Sequence, residues 1–185
     1  DKGTRAELER LAARVAVTDA REQITEVLHR YARGWDRQDE ATILDCFWPE
    51  STHQHGAFKG LSRDFTTASF KATRNVRIMS HMITNVSIEV AGNKAVSECY
   101  FFAFHRRPSK TGPGEVDWFL KGRYIDRHEK RGDTWKIAHR RGLHDFSRTF
   151  DPADTSLDAS PPEQLGQPKP ADPLYAMLDE LRAGR

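Results

Sequence analysis

With 185 residues the chain has room for about one domain with its own hydrophobic core, so neither disulfides nor a structural metal is required. Hydrophobic residues make up 37% and charged residues 30%, an ordinary globular balance that excludes a disordered chain. The formal net charge of +2 gives no electrostatic reason for a nucleic-acid or anionic-membrane partner. No apolar run approaches the ~20 residues that span a bilayer.

The chain opens DKGTRAELERLAARVAV, charged and helical in character rather than a secretory apolar segment. Cys46 and Cys99 stand in neither a CxxC nor a zinc-type spacing, and are expected as reduced, buried thiols. These features predict a soluble, cytoplasmic protein.

Over residues 8–35 apolar side chains recur at helical spacing, and Ile24, Val27, Leu28, Tyr31 and Trp35 form one stripe. Asp19 can cap a fresh start with Glu22 in its first turn. The spacing therefore predicts a short leading helix and a longer one over residues 20–34. Gly34 weakens the helix, Asp39 caps the run EATILDCFW, and Pro49 stops that run. Residues 51–60 read as strand or turn, punctuated by Gly56 and Gly60, and Ser62 caps a further helix over about residues 63–74.

The period then changes. HMITNVSIEV, KAVSECYFFAFHRR, VDWFLKGRYIDRHEK and TWKIAHRRGLHDF read as four strands, separated by turns at Ala91-Gly92-Asn93, SKTGPGE and RGD. Short turns between long strands predict an antiparallel meander, and helices followed by strands define the class as α+β. A strongly curved sheet wrapped by amino-terminal helices would form a closed-ended cone over residues 1–150. Residues 151–185 form a Pro-rich tail with room for one short helix in DPLYAMLDELRAG. That tail is either a cover over the pocket or a subunit contact.

The pieces RYARGWDRQD, MSHMITNVSIEV and RGDTWKIAHRRG, in this order, resemble the SnoaL-like families of the nuclear transport factor 2 superfamily. Relatives there include scytalone dehydratase, hexachlorocyclohexane dehydrochlorinase and the bile-acid 7α-dehydratase. The resemblance covers residues 12–150. It implies a cystatin-like α+β cone, often a trimer, with an Asp–His pair at the bottom of an apolar pocket. Those positions fall on Asp36 and His81. Tyr31 matches the tyrosine of the dehydratase branches, and Arg140 matches an arginine lining the dehydrochlorinase pocket. Ala103 stands where the bile-acid enzyme has a further carboxylate, so that particular reaction is not implied.

Histidine suits proton abstraction from carbon because its pKa lies near operating pH. A carboxylate on one ring nitrogen fixes the tautomer and stabilises the imidazolium that forms. Asp36 is thus the expected orienter and His81 the base, against the plainer reading of an exposed helix-end aspartate and a satisfied core histidine. Tyr31 could protonate a leaving hydroxyl, or be an aromatic of the buried stripe. On an ideal helix Tyr31 and Asp36 diverge by ~140°, so both face one cavity only if the helix bends or ends near Gly34.

Alternation on the last strand puts Trp135, Ile137 and His139 on one face, and Arg140, Gly142, His144 and Phe146 on the other. The resemblance makes the second face the pocket side, where Arg140 would anchor substrate or developing charge. Trp35, Phe47, Trp48, Phe101, Trp118 and Phe146, with His144, are the expected lining for a flat apolar or aromatic substrate. His53-x-His55 could place two imidazoles on one strand face, but without a third ligand a solvated loop is expected and no metal. No phosphate-cradling loop or dinucleotide fingerprint is present, so no cofactor is expected.

The expected function is a cofactor-independent lyase removing water, halide or formaldehyde from an aromatic or polycyclic substrate, in a homo-oligomer with a trimer favoured. The alternatives are an isomerase or polyketide-type cyclase, or a non-catalytic binding or dioxygenase small-subunit-like module.

Overall fold

A computed structural model describes residues 1–184. One helix, α1 (Lys2–Asp36), replaces the two expected. Asp19 starts nothing because the Ala-, Arg-, Glu- and Leu-rich sequence before it already favours helix. Its carboxylate instead accepts from the Gln23 side chain one turn on, at 2.8 Å. The first half of α1 is exposed, Leu8, Leu11 and Val15 included, while the stripe from Ala20 to Trp35 is buried.

Nor does Gly34 end α1, which runs through it to Asp36. Its missing side chain admits a neighbour: a Cβ there would lie 2.6 Å from Ile43 Cγ1 on α2 (Glu40–Asp45). Asp39 caps α2 as expected, accepting from the Thr42 amide at 3.2 Å. Pro49 is not what stops α2, which ends at Asp45. Phe47 and Trp48 already belong to β1 (Phe47–His55), where the Cys46 carbonyl accepts from the Ile137 amide at 2.9 Å. Pro49 lies where the ladder to the neighbouring strand is interrupted, between Phe47 and Thr52, so its missing N–H costs no pairing.

The remaining elements are β2 (Phe58–Leu61), α3 (Ser62–Ala72), β3 (Ile78–Ala91), β4 (Lys94–Pro108), β5 (Glu115–Arg131) and β6 (Thr134–Phe150). Ser62 opens α3 rather than capping it; Leu61 holds the cap position without a side-chain bond. β3 to β6 form the expected antiparallel meander, and tight turns at Gly92 and Gly132, both at φ +60, join two of its hairpins. The sheet order is β2-β1-β6-β5-β4-β3, with β1 entering parallel to β6. β2 and β3 are the two edges of the sheet, and this curved, unclosed sheet with its amino-terminal helices is the α+β class expected.

Two bulges bend β6. The pairs Arg127↔His139 and His128↔Ile137 leave Ala138 extra, and Gly122↔His144 and Lys121↔Phe146 leave Asp145 extra. Each extra residue reverses the alternation after it. Arg140 and Gly142 therefore share the buried face with Trp135 and Ile137, while Phe146 turns outward and is exposed. The even alternation expected for this strand does not hold.

α1 packs against β3 and β6. Its stripe meets Phe47, Cys99, Phe101, Tyr124 and Ile137, and Ala20 and Ile24 meet Ala95 and Trp135. Cys46 and Cys99 are buried and free. Beyond β6 the chain makes two short 3₁₀ turns and a last helix, α4 (Pro173–Ala183), capped by Asp172. Among the described residues no helix is long and apolar enough to cross a membrane.

Gly34 gives a direct test of this packing. Intrinsic propensity makes Gly34→Ala favourable by ~1 kcal/mol in a helix. Contact with Ile43 reverses the sign, and a net loss of about 1–3 kcal/mol is expected in urea denaturation.

Candidate active site

Asp36 is the last residue of α1, at the carbonyl end of the helix dipole where a negative charge is unfavourable. Two donors on β3 compensate it. The His81 ring Nδ1 lies 2.6 Å from one carboxylate oxygen, and the His81 amide donates to the other at 3.1 Å. β3 is an edge strand, which is why a main-chain N–H is free for a side chain. The two side chains are only 16% and 11% exposed, so the pair is neither apart nor bathed in solvent. An ionised carboxylate only accepts, so Nδ1 is the donor to Asp36 and, in the neutral ring, Nε2 carries the lone pair.

The pair lines a hollow of about 290 Å³. α1 contributes His29, Ala32 and Arg33, its C-cap contributes Arg37, β3 contributes Ile83, and the tail contributes Asp172 and Leu174. This mixed lining is not the aromatic one expected. His105, on β4, was missed by sequence reasoning. Its ring stands edge-on to His81 at 5.3 Å between centroids, and edge-on to Trp118 at 5.3 Å. His105 Nε2 is buried without a hydrogen-bond partner among the described residues. Burial, with His81 and Arg107 nearby, pushes its pKa down to about 3 and keeps it neutral. Its one sequence signal is alternation: His105 falls on the same face of β4 as Phe101 and Ala103.

Tyr31 and Arg140 form a second cluster. α1 is unbroken at Gly34, so Tyr31 diverges from Asp36 as an ideal helix requires. The Arg140 guanidinium is fully buried, 4.0 Å from the Tyr31 ring centroid and 4.1 Å from that of Tyr124. It donates to both oxygens of Asp126, also fully buried, at 2.8 and 2.6 Å. Burial alone would disfavour its charge, but Asp126 outweighs it and holds the Arg140 pKa well above the ordinary value. Burial raises the Tyr31 pKa against the pull of Arg140, leaving a neutral phenol. Asp126 is adjacent to Arg140 only through strand pairing, which the sequence did not show.

The other expected lining residues disperse. Trp35, Phe47 and Phe101 are core side chains around Tyr31 and Tyr124. Trp48 donates its indole N–H to the Glu129 carbonyl at 3.0 Å beneath the Arg131 guanidinium. Trp118 carries the Arg107 guanidinium on its ring, and His144 and Phe146 are exposed. His53 and His55 are not on a solvated loop. They share the inner face of β1, and His53, fully buried, stacks on Phe65 of α3 at 3.9 Å. Burial, then Arg140 and neighbouring histidines, takes the His53 pKa down to about 2. Among the described residues no group of three or more His, Cys, Asp or Glu is placed to hold a metal.

The SnoaL-like domain family matches residues 16–141, and the chain belongs to that family. No curated protein matches it. Among solved structures it is similar to a protein of Novosphingobium aromaticivorans provisionally named a scytalone dehydratase. The TM-score is 0.61 at 20% identity, over 70% of this chain and 86% of the other. It is also similar to hexachlorocyclohexane dehydrochlorinase LinA-type3 from Novosphingobium barchaimii, with TM-score 0.60, 17% identity, and coverage of 79% and 95%. A Nostoc punctiforme protein of unknown function with a cystatin-like fold matches at TM-score 0.54 and 17% identity, covering 66% and 89%. At these identities the likeness is one of fold.

The buried histidines predict acid sensitivity. His53, His105 and His128 have folded pKa values of about 2, 3 and 4, against 6.5 for the free side chain. Below ~6.5 the unfolded chain binds protons that the folded chain does not, so stability falls as pH falls toward those values. Each group contributes up to ~1.4 kcal/mol per pH unit across that window. Urea midpoints measured from pH ~7 down to ~5 should drop, and His53→Phe should flatten the slope. Equal midpoints would count against buried neutral rings.

Proposed function

We propose that the chain is a cofactor-independent lyase that eliminates water, halide or formaldehyde from an apolar aromatic or polycyclic substrate. One observation carries the reading: the Asp36 carboxylate holds both the amide and the ring of His81, leaving Nε2 free beside a hollow. His81 Nε2 takes a proton from substrate carbon, and Asp36 stabilises the imidazolium. The electron pair left on carbon forms the new double bond as the leaving group departs with its own bonding pair. A leaving oxygen needs a proton or hydrogen bond, and Arg33 and Arg37, which line the hollow, carry donors that can offer one. Tyr31 or Arg140 would fill that role only by reaching out of the Asp126 cluster. The mix of Ala32, Ile83 and Leu174 with Arg33 and Arg37 favours a carbon skeleton bearing oxygen substituents.

Isomerisation or cyclisation would begin with the same abstraction, and product mass separates them. Screening aromatic and steroid alcohols, halides and hydroxymethyl arenes by mass spectrometry identifies the group lost. Asp36→Asn is expected to lower kcat by about 10⁴-fold with the fold intact, the size seen when an orienting carboxylate is neutralised. His81→Ala should remove the base's share, about 10²–10⁴-fold. Full activity of the His81→Ala protein would end the lyase reading, and an unchanged mass with a moved double bond would make it an isomerase.

The same reading includes a homo-oligomer, a trimer favoured. Phe119 contacts Phe102, Phe104 and Phe150 on the sheet face opposite α1, with ring centroids 5.1–5.9 Å apart. Phe150 is 51% exposed. Such contiguous apolar surface is characteristic of protein contacts. Light scattering should give a multiple of the chain mass for the native protein and a smaller one for Phe119→Glu.

A further inference from the structure

The tail lies at the end of α1 that carries Asp36. Four successive residues there are each tied to something else. Asp36 holds His81, and the Arg37 guanidinium lies 3.3 Å from the Asp172 carboxylate. The Arg37 carbonyl accepts from the Lys169 amide at 2.8 Å. The Gln38 side chain donates to the Val76 carbonyl at 3.3 Å, just before β3. Asp39 accepts from the Lys169 ammonium at 2.8 Å.

The part of the tail over residues 167–174, a strap across the end of α1, is itself tied around Asp172. That carboxylate accepts from the Gln167 and Leu174 amides at 3.0 and 3.1 Å and is 8% exposed. Carbonyls in the last turn of a helix have no partners within it, so helix ends fray unless something outside holds them. Here the fraying end carries the carboxylate that the proposed chemistry needs within a few tenths of an ångström.

We propose that Lys169 and Asp172 are positioning residues. Acting through Asp39 and Arg37, they hold the end of α1 so that Asp36 stays seated on His81, while Leu174 forms a wall of the same hollow. This rests on the reading of Asp36 and His81 as the reacting pair. Neither strap residue touches the reacting atoms. Lys169 brings positive charge to a helix end whose dipole and terminal aspartate are both negative, and Asp172 holds the Arg37 guanidinium at that same end.

The test uses the full chain and two strap variants, Lys169→Met and Asp172→Asn, with Asp36→Asn as reference. Two signals report a seated Asp36 and need no substrate. One is the imidazole ¹⁵N spectrum of His81 in neutral-ring conditions, which distinguishes an Nδ1–H from an Nε2–H ring. The other is hydrogen exchange of the His81 amide, whose acceptor is Asp36. The strap variants are expected to shift the ring toward Nε2–H and to speed His81 exchange about tenfold, as local opening does, while amides of β5 and β6 stay protected. Unchanged ring and exchange in both strap variants, with Asp36→Asn altering both, would overturn the positioning role alone. If Asp36→Asn also leaves the ring unchanged, the dyad itself fails and the proposal falls with it.

Discussion

The Asp36 carboxylate joins the last turn of α1 to the edge strand β3, one oxygen on the His81 amide and the other on the His81 ring. The arrangement needs three things at once. A helix must end at that residue, a strand edge must leave an amide unpaired, and enough of the surroundings must exclude water. A carboxylate at the carbonyl end of a helix is electrostatically misplaced, so it binds strongly to whatever donors approach. The fold supplies those donors from a residue 45 positions away.

Helix geometry separates this pair from the other chemistry-bearing residues. Five residues along α1 turn the side chain through ~140°, which sends Tyr31 inward as Asp36 faces β3. Inside, Arg140 is clamped by Asp126 and flanked by two tyrosine rings. An ion pair sealed that completely is stable only because both partners are present; removing either leaves an uncompensated charge, at a cost of about 3–5 kcal/mol. Buried His53 stands beside Arg140 in the β1–β6 pairing, so this part of the core is polar.

Local pattern made much of this legible. The helical stripe on α1, the meander and its turns, and the Asp39 cap all depend on near neighbours in sequence. Asp36 and His81 were legible as positions through the resemblance, but not the amide contact, which needs β3 to be an edge. His105 was hidden because a histidine on a buried strand face reads as ordinary core. Asp126 was hidden because only cross-strand register sets it beside Arg140. The division of α1 at Asp19 was misread, since a capping residue inside a strongly helical sequence does not end the helix.

The sequence by itself determined the helical stripe, the meander and which residue types were available for proton chemistry, because these follow from short-range spacing, and its motifs carried the family resemblance. Tertiary structure decided which of them meet. Bulges at Ala138 and Asp145, the parallel entry of β1, and the return of the tail to the end of α1 are set by long-range pairing. A single extra residue in a strand reverses the direction of every side chain after it, and no local periodicity records that.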